Sequence, residues 1–97
     1  MESSLPETFV VTYTIVFRRS VQKDVRRIPS AILRHIQGVL RVLQKDPIPV
    51  GSIKLQVEGK FYRIRIGSYR VVYEVDHEIK IITIVRIAHR KNVYIGF

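Results

Sequence analysis

Two alternating runs meet at a glycine–serine pair in YRIRIGSYRVVYEVD, residues 62–76, and this stretch restricts the fold more than any other part of the chain. On each side apolar and polar residues alternate with a period of two, the pattern of a half-buried strand. Gly67-Ser68 suits a two-residue type II′ turn, which wants glycine first, so the runs read as a hairpin. Such a turn fixes the pairing: Ile66 faces Tyr69, Arg65 faces Arg70, Ile64 faces Val71 and Arg63 faces Val72. Tyr62, Ile64 and Ile66 then share an apolar face with Tyr69, Val71, Tyr73 and Val75. Arg63, Arg65 and Arg70 share the opposite one.

The elements around this hairpin follow from changes of period. Thr8 to Phe17 is β-branched and aromatic without a breaker and is predicted as a first strand, with Val11, Tyr13, Ile15 and Phe17 on its core side. Val21, Val25 and Ile28 then recur at helical spacing, giving a short amphipathic helix that Pro29 ends. Ser30 is the expected N-cap of a second helix reaching about Lys45, with Ile32, Ile36, Val39, Leu40 and Leu43 as its stripe and Gly38 as a weak point. KDPIPVGS, residues 45–52, stops the helices. Lys54 to Val57 is predicted as a short or irregular strand, followed by Phe61 to Ile66, Tyr69 to Asp76 and Ile79 to Ala88. A three-residue turn at Asp76 to Glu78 pairs Val75 with Ile79. It puts Ile81, Thr83, Val85 and Ile87 in the core and Arg86 with the other arginines. The fold class is α+β in two layers: an N-terminal strand, a two-helix hairpin on one sheet face, then an antiparallel β-meander.

A chain of 97 residues is expected to form a single domain, 1–97, with Met1 to about Glu7 loose. It has no cysteine, so disulfides and thiolate chemistry are excluded. MESSLPETF lacks the basic and apolar regions of a secretory signal, and no apolar stretch reaches about 18 residues, so a soluble cytoplasmic protein is expected. Seventeen lysines and arginines against eight acids leave a net charge of +9, the balance of a protein that meets polyanions. The charge is clustered. No acid occurs between Gly59 and Tyr73, where Lys60, Arg63, Arg65 and Arg70 fall, nor after Glu78, where Lys80, Arg86, Arg90 and Lys91 fall.

Arg65 opposite Arg70 is a like-charge pair that an anion would relieve, and the arginine fork matches phosphate oxygens in pairs. The face therefore reads as a seat for a phosphodiester backbone. The alternative is a set of guanidinium groups merely solvated above the strands. In IAHRKNVY, residues 87–94, His89 supplies a proton-exchanging side chain, Arg90 a further cation, and Tyr94 an aromatic face and a phenol. His35 and His77 read as structural or exposed. No metal-ligand spacing, Gly-rich phosphate loop, paired apolar carboxylates or Ser-His-Asp set is present, so neither metal nor cofactor is expected.

Four pieces, YTIVFRRSVQKDVRRIP, DPIPVGSIKL, YRIRIGSYRVVYEVD and IVRIAHRKNVY, make the chain from about Val11 to Tyr94 resemble the RelE/ParE toxins of toxin–antitoxin modules. The ending His89-Arg90-Lys91-Asn92-Val93-Tyr94 is similar to the RelE branch, which looks like ribosome-dependent mRNA endonucleases; the ParE branch poisons DNA gyrase. The resemblance implies a 2′-hydroxyl attack on the adjacent phosphate, leaving a 2′,3′-cyclic phosphate and a 5′-hydroxyl. It implies catalytic roles for Arg63, Arg65, Arg70, Arg90 and Tyr94, with His89 as the acid or base. Two of these positions hold arginine where the best-studied relatives hold lysine. A guanidinium is a poor proton carrier, so the general base stays unassigned. Lys54, Lys60, Arg86 and Lys91 are the expected further RNA contacts. The implied partners are the ribosomal A site with its mRNA and an antitoxin whose acidic, helical segment covers the toxin. A gyrase inhibitor and a non-catalytic RNA-binding domain are the alternatives.

Overall fold

Gly67 takes a φ of +58°, the left-handed value that a type II′ turn needs at its first central position. Around it, β3 (Phe61–Ile66) and β4 (Tyr69–Asp76) pair in the register expected from the turn, from Ile66 opposite Tyr69 to Arg63 opposite Val72. The computed structural model describes residues 12–94, so the loose segment expected at residues 1–7 lies outside the described residues. Its elements run β1 (Thr14–Phe17), α1 (Arg19–Val25), α2 (Ser30–Lys45), β2 (Ile53–Lys54), β3, β4 and β5 (Ile81–His89). The sheet order is β1-β5-β4-β3-β2, antiparallel except where β1 runs parallel to β5. This is the two-layer α+β arrangement expected from the sequence. Val21, Ile28, Ile36 and Leu43 from the helical layer bury against Ile66, Val71, Tyr73, Val75, Ile82, Ile84 and Ile87 of the sheet. Among the described residues no helix is long and apolar enough to cross a membrane.

Several boundaries differ from the sequence reading, each for a local reason. The first strand is regular only over Thr14–Phe17; residues 8–11 of the expected span lie outside the described residues. Tyr13 is buried as expected, whereas Phe17, at the end of an edge strand, stays 47% exposed beside Val21 and Val25. Ser30 does not cap α2. Pro29, with φ −55° and ψ 143°, is the residue of entry, and its carbonyl accepts the Leu33 N–H at 2.9 Å, so Ser30 is already helical. Gly38 meets only the guanidinium of Arg41, 3.9 Å from where a Cβ would stand, so packing within the described residues does not explain it. The irregular strand expected at 54–57 is confined to Ile53–Lys54.

The largest difference is in β5. The turn after β4 spans four residues, 77–80, because Asp76 Oδ1 accepts the N–H groups of Glu78 (3.0 Å) and Ile79 (3.2 Å), and Lys80 sits at φ +59°. Val75 therefore pairs with Ile82 rather than Ile79, and Ile82 and Ile84 face the core in place of Ile81, Thr83 and Val85. A bulge then lets Val72 pair with Arg86 while Tyr73 pairs with Ile84, leaving Val85 as the extra residue. The extra residue restores the expected alternation. Ile87 is inward and Arg86 outward, as the sequence suggested.

Tyr73 ties the sheet to the segment after α2. It is fully buried, stacks on Tyr62 with centroids 5.8 Å apart, and donates to the Pro47 carbonyl at 2.7 Å. Burial pushes its pKa up to about 12, against an ordinary value of 10.0, with a hydrogen bond from Ser52 opposing and the neighbouring Tyr62 and Asp46 adding to the rise. Between those two pH values the unfolded chain releases this proton while the folded chain keeps it, so stability falls as pH rises through the window. Tyr73→Phe is expected to cost about 1 kcal/mol at neutral pH. Above pH 10 it should make the decline shallower, by at most about 1.4 kcal/mol per pH unit. Urea melts of both proteins across this range check it; parallel pH profiles would refute it.

Candidate functional site

The outer face of the sheet, away from the helices, is built by the alternation of β3, β4 and β5. Arg65 and Arg70 are direct cross-strand neighbours, and Ala88 follows Arg70 in the same row. Arg63, Val72 and Arg86 make the next row. The small Ala88 beside Arg70 leaves room where a longer side chain would crowd the guanidinium. Arg70 Nη1 donates to the carbonyls of Gly67 (3.0 Å) and Tyr69 (2.9 Å), so the turn itself holds the side chain over the hairpin tip.

The C-terminal turn comes back onto this face. The Arg90 N–H donates to the Ser68 carbonyl at 2.7 Å, joining the end of β5 to the β3–β4 turn. Asn92 N–H donates to the His89 carbonyl at 2.8 Å, and Arg86 Nη2 donates to the Asn92 carbonyl at 3.3 Å. Val93 is 1% exposed and closes a second, smaller core with Val72 and Val85, flanked by Leu55, Phe61 and Ala88. Sequence patterning gives no notice of this cluster. In the structure it is made by Val72, among outward arginines, and by the bulge that turns Val85 outward as a second apolar residue. Val93 is thus the anchor that brings its neighbours Arg90 and Tyr94 to the arginines.

The electrostatics show the convergence. The Arg70 pKa is held below the ordinary guanidinium value, first by burial and then by the positive charges of Arg65, Arg63 and Arg90, with Tyr94 acting in the opposite sense. No carboxylate of the described residues is among the charges acting on it. Arg63 and Arg86 also carry buried Nε atoms without a hydrogen-bond partner. Such orphan donors are costly and rare in folded proteins. The wall is therefore a concentrated and unbalanced positive field built from rigid strands, suited to a dianionic or oligoanionic ligand.

Not every expected residue arrives there. His89 pairs with Tyr69 in the register, so it lies on the helix side, edge-on to the Tyr69 ring at 5.7 Å. Its Nδ1 accepts the Lys91 N–H at 3.2 Å. Lys54 pairs with Tyr62 and so shares the helix-side face at the sheet edge. Lys60 sits at the far end of the hairpin, bordering a hollow with Glu74, Asp76 and Glu78. Lys91 is exposed on the C-terminal turn next to Arg90. Of the other histidines, His35 is exposed and His77 is hydrogen-bonded to the Tyr13 hydroxyl at 2.8 Å. Among the described residues no group of three or more histidine or carboxylate side chains is placed to hold a metal ion.

Comparison with known proteins agrees with this fold. Residues 15–94 match the family model for the ParE toxin of type II toxin–antitoxin systems, parDE. Toxin RelG of Mycobacterium tuberculosis is 30% identical over 84 residues, covering 84% of this chain and 95% of the relative. Putative toxin RelE1 of Methanocaldococcus jannaschii is 29% identical over 85 residues, covering 84% and 94%. Among solved structures, the archaeal RelE–RelB complex from Pyrococcus horikoshii has a chain 32% identical to this one. It superimposes with a TM-score of 0.74 over 81% of this chain and 96% of its own. The toxin–antitoxin complex RelBE2 of M. tuberculosis gives a TM-score of 0.72 at 28% identity, covering 82% of this chain and all of that one. Matched in sequence along nearly its whole described length and in fold to toxins solved with their antitoxins, the chain belongs to the RelE/ParE family of type II toxin–antitoxin toxins.

Proposed function

We propose that this toxin is a ribosome-dependent mRNA endoribonuclease that inhibits translation by cutting message in the ribosomal A site. The observation that carries the reading is the gathering of Arg63, Arg65, Arg70 and Arg90 around one point, with Tyr94 beside them. Cleavage proceeds by attack of an RNA 2′-oxygen on its own 3′-phosphorus. The new O2′–P bond forms as the P–O5′ bond breaks, the 2′-hydroxyl loses its proton, and the departing O5′ gains one. Products are a 2′,3′-cyclic phosphate and a 5′-hydroxyl end. Negative charge grows on the non-bridging oxygens in the transition state, so fixed guanidinium groups stabilise it more than the ground state.

In this scheme Arg70 and Arg90 hold the reacting phosphate, and Arg63 and Arg65 keep the linkage in line. Tyr94, exposed and close enough to Arg70 for its phenol to act on that guanidinium, stacks on or orients a base. His89, turned to the opposite face, does not take part directly. The chemistry needs no metal or cofactor. A ribosomal target places the protein in the cytoplasm, and co-purification with a small acidic antitoxin is expected, since the wall attracts an acidic segment.

The family model, which is that of ParE, favours inhibition of DNA gyrase as the second reading. Purified protein added to ribosomes programmed with a defined mRNA separates the two. Cuts at the codon in the A site, with cyclic phosphate ends, are expected. Intact message together with blocked supercoiling by gyrase would replace this reading with the other.

A further inference from the structure

Next to the arginine wall, on the same sheet face, lies a groove of about 420 Å³ bordered by Arg18, Val57, Glu58, Phe61, Val85 and Arg86. Backbone structure sets where its two cations leave the main chain. Arg18 follows β1 directly and its N–H donates to the Ile84 carbonyl at 3.0 Å, so the end of the parallel ladder sets its place. Arg86 stands in the row of Val72 and Arg63, two strands from Arg63, which puts their Cα atoms roughly 10 Å apart. Through its hydrogen bond to the Asn92 carbonyl, Arg86 also touches the turn that carries Arg90 and Tyr94. It therefore links the wall to the groove.

The groove carries three kinds of chemistry. Two guanidinium forks match the oxygens of a phosphodiester. Val57 is exposed, and with half-buried Phe61 it offers the apolar surface on which unpaired bases rest, above the buried Val85. Glu58 would repel a phosphate but accepts hydrogen bonds from an exocyclic amino group, as carboxylates do from cytosine N4. Uracil presents a carbonyl at that position. Cations for the backbone, apolar walls for the ring and one acceptor for its edge are what a single nucleotide of unpaired RNA requires.

Resting on the nuclease reading above, we infer that this groove is a nucleotide subsite for the residue flanking the scissile linkage. Arg18 and Arg86 hold its phosphate, and Glu58 selects an amino-bearing base, cytosine over uracil. The subsite lies outside the arginine wall and gives the toxin a sequence preference of its own.

The test uses the full chain and two fluorescent, 2′-O-methylated RNA hexamers that differ only by cytidine or uridine at one position, titrated by anisotropy at several salt concentrations. Arg18→Gln and Arg86→Gln are expected to weaken binding about 5- to 10-fold and to lower the salt slope by about 0.7 each, the value for one phosphate contact on a single strand. Glu58→Gln should retain affinity and erase the preference for the cytidine hexamer. Arg26→Gln, which removes the same charge from the helical layer, is the control and should leave the slope unchanged. Ribosome-programmed cleavage by the same proteins gives the second readout. If the wild type binds and cuts while the three groove variants behave like it, or like Arg26→Gln, the subsite is refuted and the nuclease reading stands. If the wild type neither binds nor cuts RNA, both fall. Thermal melts confirm that each variant is folded.

Discussion

Arg70→Ala is expected to slow ribosome-programmed cleavage by about 10²- to 10³-fold, the usual loss when one preorganised donor to a transition-state oxyanion is removed. Stability is expected to move in the opposite direction or not at all. Arg65 and Arg70 are paired across the hairpin, and like charges in that position are unfavourable by a few tenths of a kcal/mol. Against that relief stand two hydrogen bonds from Arg70 to main-chain carbonyls, at least one of them exposed and each worth little net. The unfolding temperature should therefore stay within a degree or two of wild type. Arg70→Lys should recover only part of the rate, because an ammonium supplies charge without the paired geometry of the fork. Single-turnover cleavage measured beside a thermal melt decides the matter. A variant that melts normally and cuts normally would remove Arg70 from the site, and the hypothesis with it.

The second large effect belongs to a residue with no polar chemistry. Val93→Ala opens a gap beneath the C-terminal turn, where Val93 meets Val72 and Val85. The small core of Val72, Val85 and Val93 is separate from the main one, so loosening of the turn is local, and the hairpin and main core do not depend on it. Arg90 and Tyr94, however, reach Arg70 only through this turn. Displacement of a positioned group by about 1 Å is enough to cost roughly 100-fold in rate. Val93→Ala is therefore expected to lower the cleavage rate about 10- to 100-fold while global stability falls by about 1 kcal/mol, less than a main-core truncation. Val93→Ile, which keeps the apolar contact, should restore most of the rate. Unchanged cleavage in Val93→Ala would show that Arg90 and Tyr94 hold their positions without this anchor.

The hairpin was legible because its turn is the shortest kind: Gly67-Ser68 admits one pairing, and every face assignment from Tyr62 to Val75 follows from it. The helices were legible for a similar reason, since Pro29 and the 45–52 segment bracket the apolar stripe of α2. What the sequence concealed was phase in β5. Ile79 is β-branched and apolar and so reads as strand, yet the Asp76 carboxylate captures its N–H and leaves the side chain 63% exposed. Side-chain hydrogen bonds of this kind compete with the ladder, and composition does not reveal which wins. The facing of Arg86 came out right because the three-residue shift in register at the turn and the one extra residue of the bulge sum to an even number. His89 illustrates the opposite case. Its residue type suggests chemistry, but the alternation that turns Arg86 outward turns His89 toward Tyr69. The small core under the C-terminal turn was hidden altogether, because it joins Val72, Val85 and Val93 from three separate segments.

The irregular step in β5 has a bearing on how such a protein can change. A strictly alternating strand lends the outer face every second side chain; here two neighbours, Val85 and Arg86, are both lent to it, one as footing and one as charge. Removing the single codon for Val85 would leave Ile84 opposite Tyr73 and Arg86 opposite Val72 in an unbroken ladder, with every remaining side chain on its present side. Only the floor beneath the last turn would be missing. Val85 is thus a position whose deletion would withdraw the footing of the last turn while leaving the facing of the ladder as it is.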